Sequence, residues 1–116
     1  MAQRDVLAGR RAVLVVRGED DTTEFTDLAS TMGIEIVEVV KQRGRDDPRT
    51  YLGRGRLDEV GDLLRSAPDG HVWHGVDLVL MHTNATPRQL VATSTVLGVE
   101  VWDRVRLLLA LFTLSA

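Results

Sequence analysis

Short apolar runs alternate with amphipathic stretches along the chain. Arg11 to Arg17 (RAVLVVR) is rich in β-branched residues and lacks helical spacing, which predicts a strand. From Thr22 to Met32 the apolar positions Phe25, Leu28, Ala29 and Met32 recur at three- and four-residue intervals, predicting a helix that Thr22 or Thr23 caps and Gly33 ends. Ile34 to Val40 reads as a second strand, and its nearly continuous apolar character is that of a strand covered on both faces. Beyond a basic stretch, Leu57, Val60, Leu63 and Leu64 mark another amphipathic helix that closes near Ser66 to Gly70. Asp77 to Met81 (DLVLM) predicts a third strand. Thr86 then caps a helix with Pro87 at its first position, and Leu90, Val91 and Val96 or Leu97 supply the buried side before Gly98. Val99 to Trp102 predicts a last strand and Val105 to Leu114 (VRLLLALFTL) a last helix.

Strands alternating with helices call for parallel pairing through right-handed crossovers. The predicted fold class is α/β: a small, open, mainly parallel four-stranded sheet with helices on both faces. At 116 residues the chain fits a single domain, 1–116. In open sheets of this kind ligands gather beyond the carboxyl ends of the strands. Those ends fall at 18–23, 43–51, 82–86 and Asp103-Arg104.

Hydrophobic residues make up 44% of the chain and charged ones 27%, values of a folded domain rather than a disordered one. With no cysteine there is no disulfide and no thiolate metal site, and the cytoplasm is the expected compartment. The opening MAQRDVLAGRR places charge where an export signal needs its apolar core. The apolar run Val105–Leu114 falls short of the roughly 20 residues that a membrane span requires. It is read either as the last core helix or as the lead into a longer protein.

Charge changes this picture more than composition does. Lys41 to Arg56 (KQRGRDDPRTYLGRGR) holds six of the 14 basic residues and two of the 17 acidic ones, a segment of about +4 in a chain of net charge −3. Guanidinium forks bind phosphate, an aromatic ring stacks on a base, and glycines admit close backbone approach, so the segment fits RNA or a nucleotide phosphate. A solvated loop is the plain alternative. Asp46, Asp47 and Pro48 are expected to stiffen the loop.

Other motifs carry less. Gly53-Arg54-Gly55-Arg56 stands just before the expected helix start, where free N–H groups favour an anion, but it is neither a P-loop nor a dinucleotide fingerprint. Its glycines equally suit a plain turn, and Asp58-Glu59 in the first turn would already answer the helix dipole. Asp58 to Gly61 spells D-x-x-G without the P-loop or N-K-x-D of a GTPase. Glu19, Asp20 and Asp21 follow the first strand as in a phospho-acceptor receiver, but the later Asp and Lys are missing. His71, His74 and His82 lack further converging metal ligands, so no metal is expected. No serine sits on a nucleophile elbow, and no catalytic residue is assigned.

The run Arg45-Asp46-Asp47-Pro48-Arg49-Thr50-Tyr51-Leu52-Gly53-Arg54-Gly55-Arg56-Leu57-Asp58-Glu59 resembles a segment in the N-terminal domain of HflX-type ribosome-associated GTPases. Thr86-Pro87-Arg88-Gln89-Leu90 is similar to that domain's next motif. Val101-Trp102-Asp103-Arg104 with Leu107-Leu108-Leu109 and Leu111-Phe112 resembles its closing one. The chain departs from the pattern at Val105, where the family usually has Thr, at Ala92, near which it has Asn, and in its apolar ending Thr113 to Ala116.

The resemblance implies a front domain that works with a helical hairpin and a GTPase domain, neither contained in these residues, to bind the large ribosomal subunit. Taken with the chemistry of the basic segment, this makes Arg43, Arg45, Arg49, Arg54 and Arg56 the expected rRNA phosphate contacts, Gly53 and Gly55 points of close approach, and Tyr51 a stacking or packing residue. Asp103 and Arg104 are expected to form a structural pair or cap. GTP and Mg2+ are expected only for the absent GTPase domain, so no cofactor is assigned to this chain and the chain by itself is not expected to be an enzyme. Partners are the large subunit and the remainder of the GTPase chain. The alternatives are a stand-alone ATP- or GTP-binding domain, with phosphate at Gly53 to Arg56, and an interaction module using the apolar C-terminal helix.

Overall fold

A computed structural model of the chain describes residues 7–115. The opening segment read above for an export signal lies mostly outside them, as does Ala116. The elements are β1 (Arg11–Arg17), α1 (Thr23–Thr31), β2 (Glu35–Gln42), α2 (Arg54–Ser66), β3 (Leu78–Met81), α3 (Pro87–Leu97), β4 (Glu100–Trp102) and α4 (Arg104–Ser115). All strand pairs are parallel, in the order β2-β1-β3-β4. The α/β class and the four-stranded parallel sheet are those read from the pattern.

Alternation along β1 builds both layers. Ala12, Leu14 and Val16 pack with Phe25 and Ala29 of α1, with Met32 just after it, and with Leu107 and Ala110 of α4. Val13 and Val15 pack on the other face with Leu57 and Val60 of α2 and Leu97 of α3. No helix among the described residues is long and apolar enough to cross a membrane.

Several expectations need correction. β2 is an edge strand, and within it only Val40 is fully buried. Its apolar run arises from a bulge: Ala12 pairs with Ile36 and Val13 with Glu38, leaving Val37 as an extra residue. The insertion lets Ile36 and Val39, three apart, reach one layer while Val37 and Val40 reach the other. The first helix is capped by neither threonine side chain at its N-cap. The Asp21 carboxylate accepts from the Thr23 amide at 2.9 Å and from its hydroxyl at 2.7 Å. On α3, Val91 is 65% exposed, and the buried face is Gln89, Thr93 and Leu97. Thr86 and Pro87 act as expected, Thr86 forming a reciprocal capping box with Gln89.

The second helix starts earlier than its apolar spacing suggests. Gly53 is its N-cap, so Arg54, Gly55 and Arg56 form its first turn and no acid stands there. Asp58 and Glu59 lie one turn on and pair with Arg54 (3.1 Å) and Arg56 (3.9 Å). In α4 one face is buried and the other leaves Leu109 and Phe112 60% and 65% exposed.

Two glycines at positive φ separate backbone strain from crowding. A Cβ on Gly33 (φ +83) would lie 2.9 Å from Ala8 Cα, whereas one on Gly98 (φ +70) meets open space. Gly98→Ala is expected to lose about 1–2 kcal/mol from conformation alone, and Gly33→Ala clearly more, because backbone must also move. Urea denaturation of both variants measures the difference, and equal losses would show that the Ala8 contact yields freely.

Candidate functional site

The basic segment leaves β2 at its carboxyl end, turns across the ends of β1 and β3, and enters α2. Asp47 and Tyr51 exchange backbone hydrogen bonds, both 2.8 Å, which closes the loop on itself. Inside that turn the Asp47 carboxylate accepts from the amides of Arg49 (2.7 Å) and Thr50 (3.3 Å). These bonds, the Arg49 amide foremost, hold the Asp47 carboxyl below its ordinary range. The stiffness expected of Asp46 and Asp47 is thus present, with Asp47 supplying most of it.

Side chains from other elements brace the same loop. Buried Gln89 donates to Asp46 Oδ2 (3.1 Å) and to the Asp47 carbonyl (2.9 Å), and Thr93 donates to the Thr50 carbonyl (3.2 Å). Gln42 at the end of β2 accepts from the Gly53 amide (2.8 Å) and from the Arg17 guanidinium. Tyr51 is the centre of the arrangement. It is 3% exposed, has φ 66, accepts from the Arg17 amide at 2.8 Å and donates to the His82 carbonyl at 3.3 Å. Of the two roles expected for Tyr51, the structure displays packing, since its buried ring faces are not available to a base.

The arginines divide by setting. Arg43, Arg45, Arg49 and Arg54 are exposed, while Arg56 is half-buried. Arg43 lies 3.7 Å from Glu19, an ion pair between two well-exposed side chains and therefore weak. Gly55 is exposed in the first turn of α2, whereas a Cβ on Gly53 would press the Gln42 amide at 3.0 Å. Gly53 thus packs closely on the Gln42 side chain, which a larger residue there would have to displace by a few tenths of an ångström. The loop brings Arg45 to a cleft of about 460 Å³ that Arg17, Tyr51, His82 and Thr83 also line. Arg54 and Arg56 do not line it.

Asp103 is a cap: it accepts from the amides of Arg106 (3.0 Å) and Ala85 (2.9 Å). Arg104 faces His82 instead of Asp103, with Nη2 3.3 Å from Nε2. Spacing alone missed Gln42, Gln89 and Arg17, although Gln89 stands within the Thr86–Leu90 motif. The loop histidines are engaged locally, His71 by the Trp73 amide (3.0 Å) and His74 by Asp69 (3.1 Å).

Removing the Tyr51 hydroxyl leaves the Arg17 amide without its acceptor. Tyr51→Phe should lower stability by about 1–2 kcal/mol and raise hydrogen exchange at the Arg17 amide. Unchanged exchange there would mean that water replaces the phenol at no cost.

Burial, then the Arg104 guanidinium, hold the His82 imidazole below its ordinary value, against the opposing pull of Asp20 and Asp21. The unfolded chain therefore takes up this proton at a higher pH than the folded one. The resulting stability is full above about pH 6.5 and is lost as pH falls below it. Asp21, Asp47 and Glu100, held low chiefly by the Thr23 amide, the Arg49 amide and the Trp102 indole, act below about pH 4. Urea midpoints are expected to fall between about pH 7.5 and 5.5, and less steeply in His82→Gln. The same slope in both chains would place the titration elsewhere.

Comparison with known proteins places this geometry. The model for the family described as GTP-binding GTPase N-terminal matches residues 19–113. GTPase HflX of Thermococcus kodakarensis is 28% identical over 106 residues, which are 88% of this chain and 22% of that protein. GTPase HflX of Caldanaerobacter subterraneus subsp. tengcongensis is 28% identical over 112 residues, 91% of this chain and 24% of that protein. The chain thus spans about a quarter of these relatives. A GTP-binding protein from Sulfolobus solfataricus, solved in complex with GDP, shares the fold with a TM-score of 0.68 at 19% identity, over 90% of this chain and 30% of that one. With the family model matching most of its length, the chain belongs to the N-terminal domain family of HflX-type GTP-binding GTPases.

Proposed function

We propose that this domain serves a cytoplasmic HflX-type GTPase by contacting rRNA of the large ribosomal subunit, without taking part in GTP hydrolysis. The observation that carries this reading is the braced loop: Arg43, Arg45, Arg49 and Arg54 stand exposed on a backbone tied down by Asp47, Gln89 and Tyr51. A loop held in one shape loses little conformational freedom on binding, so its guanidinium groups meet a phosphate backbone pre-positioned. Arg56 and the first-turn amides of α2 extend the same basic edge, with Gly53 and Gly55 bringing backbone close to it. GTP and Mg2+ belong to the part of the protein beyond this chain.

The exposed Leu109 and Phe112 support a second contact, in which the remainder of the GTPase chain covers the outer face of α4.

Replacing Arg45, Arg49 and Arg54 together by Ala should weaken cosedimentation with the large subunit. The slope of log affinity against log salt should fall by about one for each phosphate contact removed. Cosedimentation equal to that of the unaltered protein across the salt range would reject the rRNA assignment.

A further inference from the structure

Most guanidinium groups of the described residues are already engaged, by carboxylates at Arg10, Arg54, Arg65 and Arg106 and by backbone carbonyls at Arg11. Those of Arg45, Arg49 and Arg88 form no ion pair and no hydrogen bond, and all three side chains are exposed. A cation of this kind can exchange its counterions for phosphates without breaking an internal tie.

Arg88 lies far beyond the basic segment in sequence, and no charge run marks it. The fold brings it to the same edge. It stands in the first turn of α3 beside Gln89, whose buried side chain bonds Asp46 Oδ2 at 3.1 Å and the Asp47 carbonyl at 2.9 Å. Those bonds seat the start of α3 against the loop that carries Arg45 and Arg49. The loop's own carboxylates are turned to other donors, Asp46 to Gln89 and Asp47 to the amides of Arg49 and Thr50. Neither forms an ion pair with the three arginines.

What this edge lacks narrows the form of RNA. Single strands are held largely by stacking of their bases on aromatic rings. Phe25, Tyr51, Trp73 and Trp102 are all buried, at 2–4% exposure. Exposed Phe112 stands eight residues into α4, about 12 Å along a helix that runs away from the carboxyl edge. Of the described amide side chains, Gln42 and Gln89 are spent on bracing, which leaves Asn84 to meet a base edge. One amide carries little sequence information.

A stiff loop with outward arginines suits phosphates that already stand in a regular array, as in an A-form helix. A flexible strand would have to be ordered on binding, with no ring here to hold its bases. We propose that this edge grips the phosphate backbone of double-helical RNA without reading its sequence, and that Arg88 is a contact residue together with Arg45 and Arg49. The proposal rests on the rRNA reading and specifies the form of RNA and one further ligand for it.

Fluorescence anisotropy of the chain with labelled RNAs over a range of salt concentrations tests it. The probes are a short mixed-sequence RNA duplex, a duplex of permuted sequence and an oligouridylate of equal length. The two duplexes should bind alike, and at least about tenfold more tightly than the single strand. Arg88→Ala should lower the slope of log affinity against log salt by about one, and Arg88→Lys, which keeps the charge, should restore most of it. Single-strand binding as tight as duplex binding, a preference between the two duplexes, or an unaltered slope in Arg88→Ala would overturn the proposal. If Arg88→Ala matches the unaltered chain while the triple loop variant still loses cosedimentation with the large subunit, the role of Arg88 fails and the ribosome assignment stands. If neither variant changes anything, both fail.

Discussion

The phenol oxygen of Tyr51 sits where the two central strands stop. It accepts from the Arg17 amide and donates to the His82 carbonyl, so one side chain serves polar groups at the ends of both β1 and β3. Strand ends at a carboxyl edge leave backbone donors and acceptors without ladder partners, and burying them unpaired is costly. Tyr51 meets that need from the basic loop, which puts an aromatic ring in the interior and the neighbouring arginines outside. Orientation of the charged edge follows from a hydrogen-bonding requirement of the sheet. The left-handed backbone of Tyr51, unusual for an aromatic residue, is the conformation through which the loop reaches inward.

Three segments far apart in sequence meet through buried polar ties around this point. Gln89 joins the start of α3 to the loop at Asp46 and Asp47. Asp103 joins the end of β4 to the turn before α3 through the Ala85 amide. These are the three stretches whose order resembles the family pattern. Their co-occurrence has a physical basis: each supplies a donor or an acceptor that another requires, so none keeps its shape alone.

Legibility in the sequence followed the kind of force involved. β1 and β3 were readable because their apolar runs answer to burial, which periodicity reports directly. The position of β2 was not readable, because a bulge at Val37 mimics the continuous apolar run of a central strand. On α3 the periodicity of large apolar residues pointed to Val91. The buried stripe is Gln89, Thr93 and Leu97, where polar groups face inward because the loop offers them partners. The arginines of the candidate site were evident from charge alone. Their supports were not, since Gln42, Gln89 and the Tyr51 hydroxyl act across separations of eleven to more than forty residues, through hydrogen bonds that leave no local pattern.

The bulge has a bearing on how the sheet ends. An open sheet offers rows of unpaired backbone groups to any passing strand, and proteins blunt such edges with kinks, charge or brevity. Here the β2 edge is kinked at Val37 and carries Glu35, Glu38 and Lys41, while β4 on the opposite edge is three residues long. The sheet is protected against strand addition on both sides without being rolled into a barrel.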